Sequence, residues 1–258
     1  MGAPSPAATT TGTLDGRTVL VTGGGTGIGA AIARTFAGAG AVVTVAGRRP
    51  DPLADVAEGT DAITAATLDV TDEHAVTTLF ADRGPFDIVV ANAGAVESAP
   101  ATRTSLDRWD RLIEVNLTGT FLTLREALRQ PSTGWGRLLA IASTAGLVGY
   151  PYVAAYCAAK HGTVGLVRAL AKEVAGSGVT VNAICPGYTD TPLVERSLDR
   201  ITEATGRSTD DALAGLLQGN PTGRLVRPEE VAATALWLCG PGSDMVTGQA
   251  IAVDGGET

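Results

Sequence analysis

Histidine and cysteine are scarce in this chain: two and three residues among 258, against 33 glycines. His74 and His161 belong to no cluster with metal-ligand spacing, so the sequence offers no metal site. Cys157, Cys185 and Cys239 are odd in number and lack C-x-x-C spacing; they read as reduced core thiols in a cytoplasmic protein. Aromatic residues make up only 4%. No apolar run reaches the length of a membrane span. Positive charge is also short: 19 Lys and Arg against 27 Asp and Glu give a formal charge of −8. That balance argues against nucleic acid or an anionic membrane as the main partner. The first thirteen residues hold no Lys or Arg and no apolar stretch. They do not look like a signal peptide and read as a disordered leader, 1–13, ahead of one domain, 14–258.

What the chain has in quantity is apolar residues, 45%, set in short β-branched runs that alternate with longer helical patterns. Strands are expected at 18–21, 41–46, 62–68, 87–91, 137–142, 179–184 and 249–253. Helices are expected at 28–38, 72–83, 106–128, 154–175 and 228–238. Near-continuous apolar strands separated by helices indicate a parallel sheet covered on both faces. The fold class is therefore α/β: a single-domain doubly wound (Rossmann) fold of about seven parallel strands with helices on both faces. Residues 188–223 break the rhythm with a polar excursion, helical at 192–204 and 210–217. Such a fold carries a lid over its substrate there.

The first strand runs into Gly23-Gly24-Gly25-Thr26-Gly27-Ile28-Gly29-Ala30. Glycines permit a tight turn and bring backbone N–H groups close to a pyrophosphate at the positive end of the following helix. Two frames fit: Gly25, Gly27 and Ala30 as G-x-G-x-x-A, or Gly23, Gly27 and Gly29 as G-x-x-x-G-x-G. Spacing does not choose between them, and both imply a dinucleotide. The second strand ends Val45-Ala46-Gly47-Arg48-Arg49, with no carboxylate before Asp51. Gly47 leaves room, and Arg48, with Arg49 beside it, suits an extra phosphate better than free ribose hydroxyls. This favours NADP(H) over NAD(H).

Tyr156 and Lys160 form a Tyr-x-x-x-Lys pair in a helical segment, so phenol and ammonium share one face. A nearby cation lowers the phenol from its ordinary pKa near ~10 and makes Tyr156 a proton donor and acceptor near neutrality. Taken in order, the motifs are Thr22-Gly23-x-x-x-Gly27-x-Gly29, Asp69-Val70, Asn92-Ala93-Gly94, Asn116, Ser143, Tyr156-x-x-x-Lys160 and Pro186-Gly187. With this set the sequence resembles the short-chain dehydrogenase/reductase family, in its single-domain branch, from about residue 14 onward.

The resemblance implies an oxidoreductase that interconverts a ketone and a secondary alcohol by hydride transfer. Gly23, Gly25, Thr26, Gly27, Ile28 and Gly29 would cradle the dinucleotide, and Asp69 and Val70 would contact its adenine. Asn92, Ala93 and Gly94 would underlie the cofactor; Pro186, Gly187, Thr189 and Thr191 would sit against the nicotinamide carboxamide. Tyr156 would pass a proton to the carbonyl oxygen and Ser143 would hydrogen-bond the same atom. Lys160 would hold the nicotinamide ribose and depress the tyrosine pKa, and Asn116 would hold a water linking Lys160 to solvent. Two departures stand out: Ala91 where many members have an asparagine, and Thr26 where NADP-preferring members often have a basic residue.

Leu117-Thr118-Gly119, Ile141-Ala142-Ser143-Thr144 and Val246-Thr247-Gly248-Gln249 look like the 3-oxoacyl and polyketide ketoreductase neighbourhood. Ala95-Val96-Glu97 replaces the Pro-Gly-Gly element of aromatic polyketide members. The expected substrate is a 3-oxoacyl thioester or a related small-molecule ketone, met by residues 95–100, 145–153 and the lid. An NAD-dependent alcohol, polyol or hydroxyacyl dehydrogenase is the alternative. A non-catalytic dinucleotide-sensing regulator is the alternative of another class, against which the intact Ser143, Tyr156 and Lys160 weigh. Val164, Leu166, Val167 and Leu170 exceed what one sheet face requires, and similar members pair these helices between subunits; a homotetramer or dimer is expected.

Overall fold

The structure is a computed structural model that describes residues 12–130 and 134–258. The expected leader lies outside the described residues apart from Gly12 and Thr13. β1 (Thr18–Thr22) leads through α1 (Gly27–Gly38) to β2 (Val42–Gly47), α2 (Pro50–Ala57) and β3 (Ile63–Thr67). α3 (Glu73–Arg83) then returns the chain to β4 (Ile88–Ala91). The second half runs α4 (Leu106–Ile113), α5 (Gly119–Arg129), β5 (Gly136–Ile141), α6 (Ala154–Glu173) and β6 (Val179–Pro186). It closes with α7 (Pro192–Thr205), α8 (Thr209–Leu217), α9 (Pro228–Cys239) and β7 (Ala250–Val253). All seven strands lie parallel in one sheet, in the order β3-β2-β1-β4-β5-β6-β7.

Side chains alternate across a strand, so each buried strand feeds two cores. Val19 and Val21 of β1 and Leu139 and Ile141 of β5 pack with α1 and α9. Leu20, Leu138 and Ala140 face the layer of α3, α5 and α6. β1 and β4 are neighbours whose following helices lie on opposite faces, so the chain parts at their C-terminal ends and leaves a crevice there. Among the described residues no helix is long and apolar enough to cross a membrane.

Two details depart from the expected pattern. α2, which carries Pro50 and Pro52, has no counterpart in it. Both lie in the first helical turn, where no helical N–H is lost, and Leu53 and Val56 seat the helix on the first core. Val164, Val167 and Leu170 are buried in the chain's own second core, with Leu166 packed against it. Their apolar character is thus accounted for within one subunit. α4, with Leu106 and Trp109, and α5, with Phe121, do expose apolar side chains.

Candidate active site

The turn after β1 decides between the two glycine frames. Gly23 and Gly27 have φ of +64° and +54°, a region costly for other side chains. A Cβ on Gly29 would stand 2.4 Å from Gly23 O and 2.5 Å from Asn92 Nδ2. Gly23, Gly27 and Gly29 therefore carry the turn. Gly25 has no positive φ, and a Cβ there would meet Pro52 at 3.1 Å. Asn92 clips the strand ends together beneath the turn. Its Nδ2 donates to Thr22 O at 2.9 Å and Gly23 O at 3.1 Å. Thr22 Oγ1 accepts the N–H groups of Asn92 at 3.0 Å and Ala93 at 3.2 Å.

α1 begins at Gly27 without a side-chain cap from Thr26 and without an acidic residue in its first turn; Ile28 packs on the first core. Asp72, Ser105 and Ser208, by contrast, cap α3, α4 and α8. The first N–H groups of α1 are thus left for an anion, and the turn fits a dinucleotide pyrophosphate. Beyond Gly47, Arg48 and Arg49 are exposed. Burial pushes the Asp69 carboxyl up, but the Thr71 N–H at 3.0 Å, its hydroxyl at 2.8 Å and the Arg48 charge hold it below the usual range. Val70 packs on the start of α5, where a Cβ on Gly119 would come within 2.6 Å.

Ser143 follows β5 and accepts the Ala145 N–H at 3.1 Å, opening a short 3-10 turn, Thr144–Gly146. That turn rests on α6 so closely that a Cβ on Gly146 would lie 2.7 Å from Lys160 O. The approach brings the Ser143 hydroxyl into hydrogen-bonding reach of the Tyr156 phenol. One turn along α6, Lys160 is 4% exposed and donates to Ile141 O at 2.7 Å. Its Nζ stands 5.6 Å from the centre of the Tyr156 ring.

Burial lowers Lys160 to about 8. Burial also pushes Tyr156 up to about 12, with the Ser143 hydrogen bond acting in the opposite sense. This corrects the expectation that Lys160 draws the phenol below its ordinary value. The ammonium is turned to a backbone carbonyl, and desolvation of the phenolate outweighs its field.

Helix 106–128 is not continuous either. A π turn, Glu114–Thr118, separates α4 from α5 and holds Asn116, fully buried, at the break. Asn116 Nδ2 donates to Ala95 O at 2.8 Å and Leu112 O at 2.9 Å, and its Oδ1 accepts the Ala95 N–H at 3.2 Å. Its carbonyl accepts the hydroxyls of Thr120 and Thr163. Gly94 lies between Asn116 and Lys160: a Cβ there would be 2.8 Å from Asn116 Oδ1 and 3.8 Å from Lys160 Nζ.

Pro186 ends β6, and Gly187 donates to Val253 O at 3.1 Å. Thr189 Oγ1 donates to Gly187 O at 2.9 Å, and Thr191 Oγ1 donates to Thr189 O at 3.1 Å. Thr191 Cγ2 lies 2.8 Å from the Cβ position of Gly27, so the start of α7 touches the glycine turn. α7 and α8 share a small core of their own, Val194, Leu198 and Ala212. His161 is exposed, its Nδ1 2.9 Å from Cys157 O.

Two neighbours of the site carry no motif. Cys185 is buried near Ser143 and Lys160; burial pushes its thiol up to about 11. Glu257 accepts the Tyr150 hydroxyl at 2.5 Å. Gly255 and Gly256, at φ +72° and +90°, turn the tail back, and only that pair of glycines hints in the sequence that Glu257 returns to the site.

Comparison with known proteins agrees with this geometry. The enoyl-(acyl carrier protein) reductase family model matches residues 23–258. D-beta-hydroxybutyrate dehydrogenase of Rhizobium meliloti is 40% identical over 254 residues, covering 94% of this chain and 98% of that protein. A 3-oxoacyl-(acyl-carrier-protein) reductase of Rickettsia bellii is 34% identical over 245 residues, covering 94% of this chain and 97% of that protein. A solved actinorhodin polyketide ketoreductase with NADPH matches at a TM-score of 0.87 and 35% identity, over 95% of this chain and 98% of that one. The chain belongs to the short-chain dehydrogenase/reductase family and is an oxidoreductase, with ketoreductases and hydroxy-acid dehydrogenases among its relatives.

Proposed function

We propose that this protein reduces a ketone to a secondary alcohol, or runs the reverse reaction, with NADP(H), on a 3-oxoacyl thioester or a closely related ketone. One observation carries the reading: Ser143 and Tyr156 stand in hydrogen-bonding reach beside a buried Lys160, next to an uncapped glycine turn. A bound nicotinamide dinucleotide supplies or accepts the hydride. With its phenol near 12, Tyr156 holds its proton at neutral pH and enters the reduction as the acid. The Ser143 hydroxyl stabilises charge that develops on the same carbonyl oxygen. Lys160, charged below about 8, keeps a positive charge 5.6 Å from the Tyr156 ring and so lowers the cost of forming the phenolate as the proton leaves. Asn116 positions the 94–95 backbone against Lys160, where a water would link Lys160 to solvent and replace the proton.

Arg48 supports NADP(H), since it is exposed at the end of β2 and, apart from its charge acting on Asp69, makes no hydrogen bond or ion pair among the described residues. Reduction of a 3-oxoacyl thioester surrogate, followed by cofactor absorbance, tests this. The wild type is expected to prefer NADPH to NADH, and Arg48→Ala to shrink that preference about ten- to a hundredfold, the worth of one charge-assisted bond. An unchanged ratio would take Arg48 out of cofactor choice. Dinucleotide binding without turnover on any carbonyl would favour the regulator.

The reading extends to assembly and compartment. Exposed Leu106, Trp109 and Phe121 support a homotetramer or dimer, and light scattering at micromolar concentration should report a multiple of the chain mass; a monomer would refute this. Three buried free thiols support a reducing, cytoplasmic setting.

A further inference from the structure

The last residues of the chain turn back beside the site. Asp254 is buried and accepts the N–H groups of Gly256 and Thr258, both at 3.0 Å, and the Thr258 hydroxyl at 2.8 Å. Gly255 lies against the end of the lid, where a Cβ would come 2.6 Å from Asn220 Oδ1. This clasp turns Glu257 inward. Oε1 of Glu257 accepts the Tyr150 hydroxyl, and Oε2 is buried with no hydrogen-bond partner. Oε2 stands 3.3 Å from the Cβ position of Gly187, and Gly219 of the lid packs on the same side chain. Tyr150 lies beside Thr144, the neighbour of Ser143, and its ring meets Tyr188 edge-on at 6.2 Å. Tyr188 in turn lies close enough to Glu257 and to Tyr156 to couple electrostatically with both. The carboxylate therefore sits among the segments that follow β5 and β6, between Tyr150 and Gly187.

A buried carboxylate oxygen without a donor is costly, and something must meet it or stay away from it. Residues 95–100 and 144–153, on the expected substrate side, contain no Lys, Arg or His. Their one acidic residue, Glu97, is already paired with Arg108 and Arg111. These loops thus offer no cation that would neutralise a second negative charge brought in by a substrate, and the arginines of the lid, Arg196, Arg200 and Arg207, are exposed.

We propose that Glu257 sets the substrate class: its carboxylate excludes ketones that carry a free carboxylate near the reacting carbon and reserves the site for uncharged 3-oxoacyl thioesters or esters. This rests on the ketoreductase reading given above. Like charges in a desolvated pocket repel strongly, whereas an acyl thioester carries no such charge, and an amide N–H on its arm can meet Oε2. The inference separates this chain from its relative named for D-beta-hydroxybutyrate, a free hydroxy acid.

Acetoacetate and ethyl acetoacetate present the same ketone with and without the charge, and the readout is the ratio of their kcat/KM values with reduced cofactor in excess. The wild type should favour the ester by at least about tenfold, and Glu257→Gln, nearly isosteric and still able to accept from Tyr150, should shrink that ratio by at least about tenfold. Glu257→Ala is the second variant, in case glutamine disturbs the tail, with thermal melting to show which proteins are folded. A wild type that prefers acetoacetate, or a folded variant with the wild-type ratio, overturns the inference and leaves the ketoreductase reading in place. No turnover of either substrate by the wild type overturns that reading and the inference with it.

Discussion

Tyr156→Phe is expected to lower turnover by about 10²- to 10⁴-fold, the range for losing a positioned acid, while dinucleotide binding and melting temperature stay close to wild type. The ring remains, so its packing and its place beside Lys160 are kept; only the hydroxyl, with its proton and its reach to Ser143, is lost. The pH profile should carry a second mark of the same group. Below about 8, Lys160 is charged and Tyr156 is protonated, which is the state the reduction requires. As pH rises through about 8, Lys160 loses its charge first, the phenolate loses its cation, and the rate of reduction should fall well before Tyr156 itself titrates near 12. Rates from pH 6 to 10 on both proteins check this. Should the phenylalanine variant keep more than about a tenth of wild-type turnover, another group supplies the proton.

Gly29→Ala should be the most damaging single methyl in the glycine turn. Its Cβ would lie 2.4 Å from Gly23 O and 2.5 Å from Asn92 Nδ2, closer than any real contact. The turn must open to admit it, which strains the two bonds by which Asn92 holds Thr22 O and Gly23 O. Overpacking costs about 1–3 kcal/mol, and each hydrogen bond lost adds about 1 kcal/mol, so a loss of about 3 kcal/mol in unfolding free energy is expected. Dinucleotide affinity should fall at least tenfold, roughly, because the N–H groups aimed at the pyrophosphate move with the turn. Gly25→Ala is the control: Pro52, 3.1 Å from the new methyl, has to give only a little, and the cost should stay within about 1 kcal/mol. Denaturant unfolding and cofactor titration measure both. Equal damage at the two positions would mean that the frame built on Gly23, Gly27 and Gly29 does not govern the site.

What could be read in the sequence was whatever is encoded locally. The parallel sheet was visible because strands buried on both faces need unbroken apolar runs, as Leu138 to Ile141 show. Tyr156 and Lys160 were legible as partners because helix geometry alone puts i and i+4 on one face. The glycine turn was visible as a turn, though its frame waited on the close approach of Gly29 to Asn92, 63 positions away in sequence.

Only the tertiary structure decided the rest, since each remaining feature depends on groups distant along the chain. A π turn adds one residue to a helical repeat, too small a change for periodicity to register, so Asn116 read as the interior of one long helix. The direction of the Tyr156 shift depends on how completely packing strips water from the phenol, which spacing to Lys160 does not reveal. Val164, Val167 and Leu170 looked like interface residues until the sheet beneath α6 was seen to cover them. Glu257, one place before Thr258, has no periodic neighbourhood at all; the fold alone sets it against Tyr150, 107 positions earlier. Local pattern determined the elements and the chemistry they carry, and long-range packing decided which groups meet, how dry they are and therefore how they ionise.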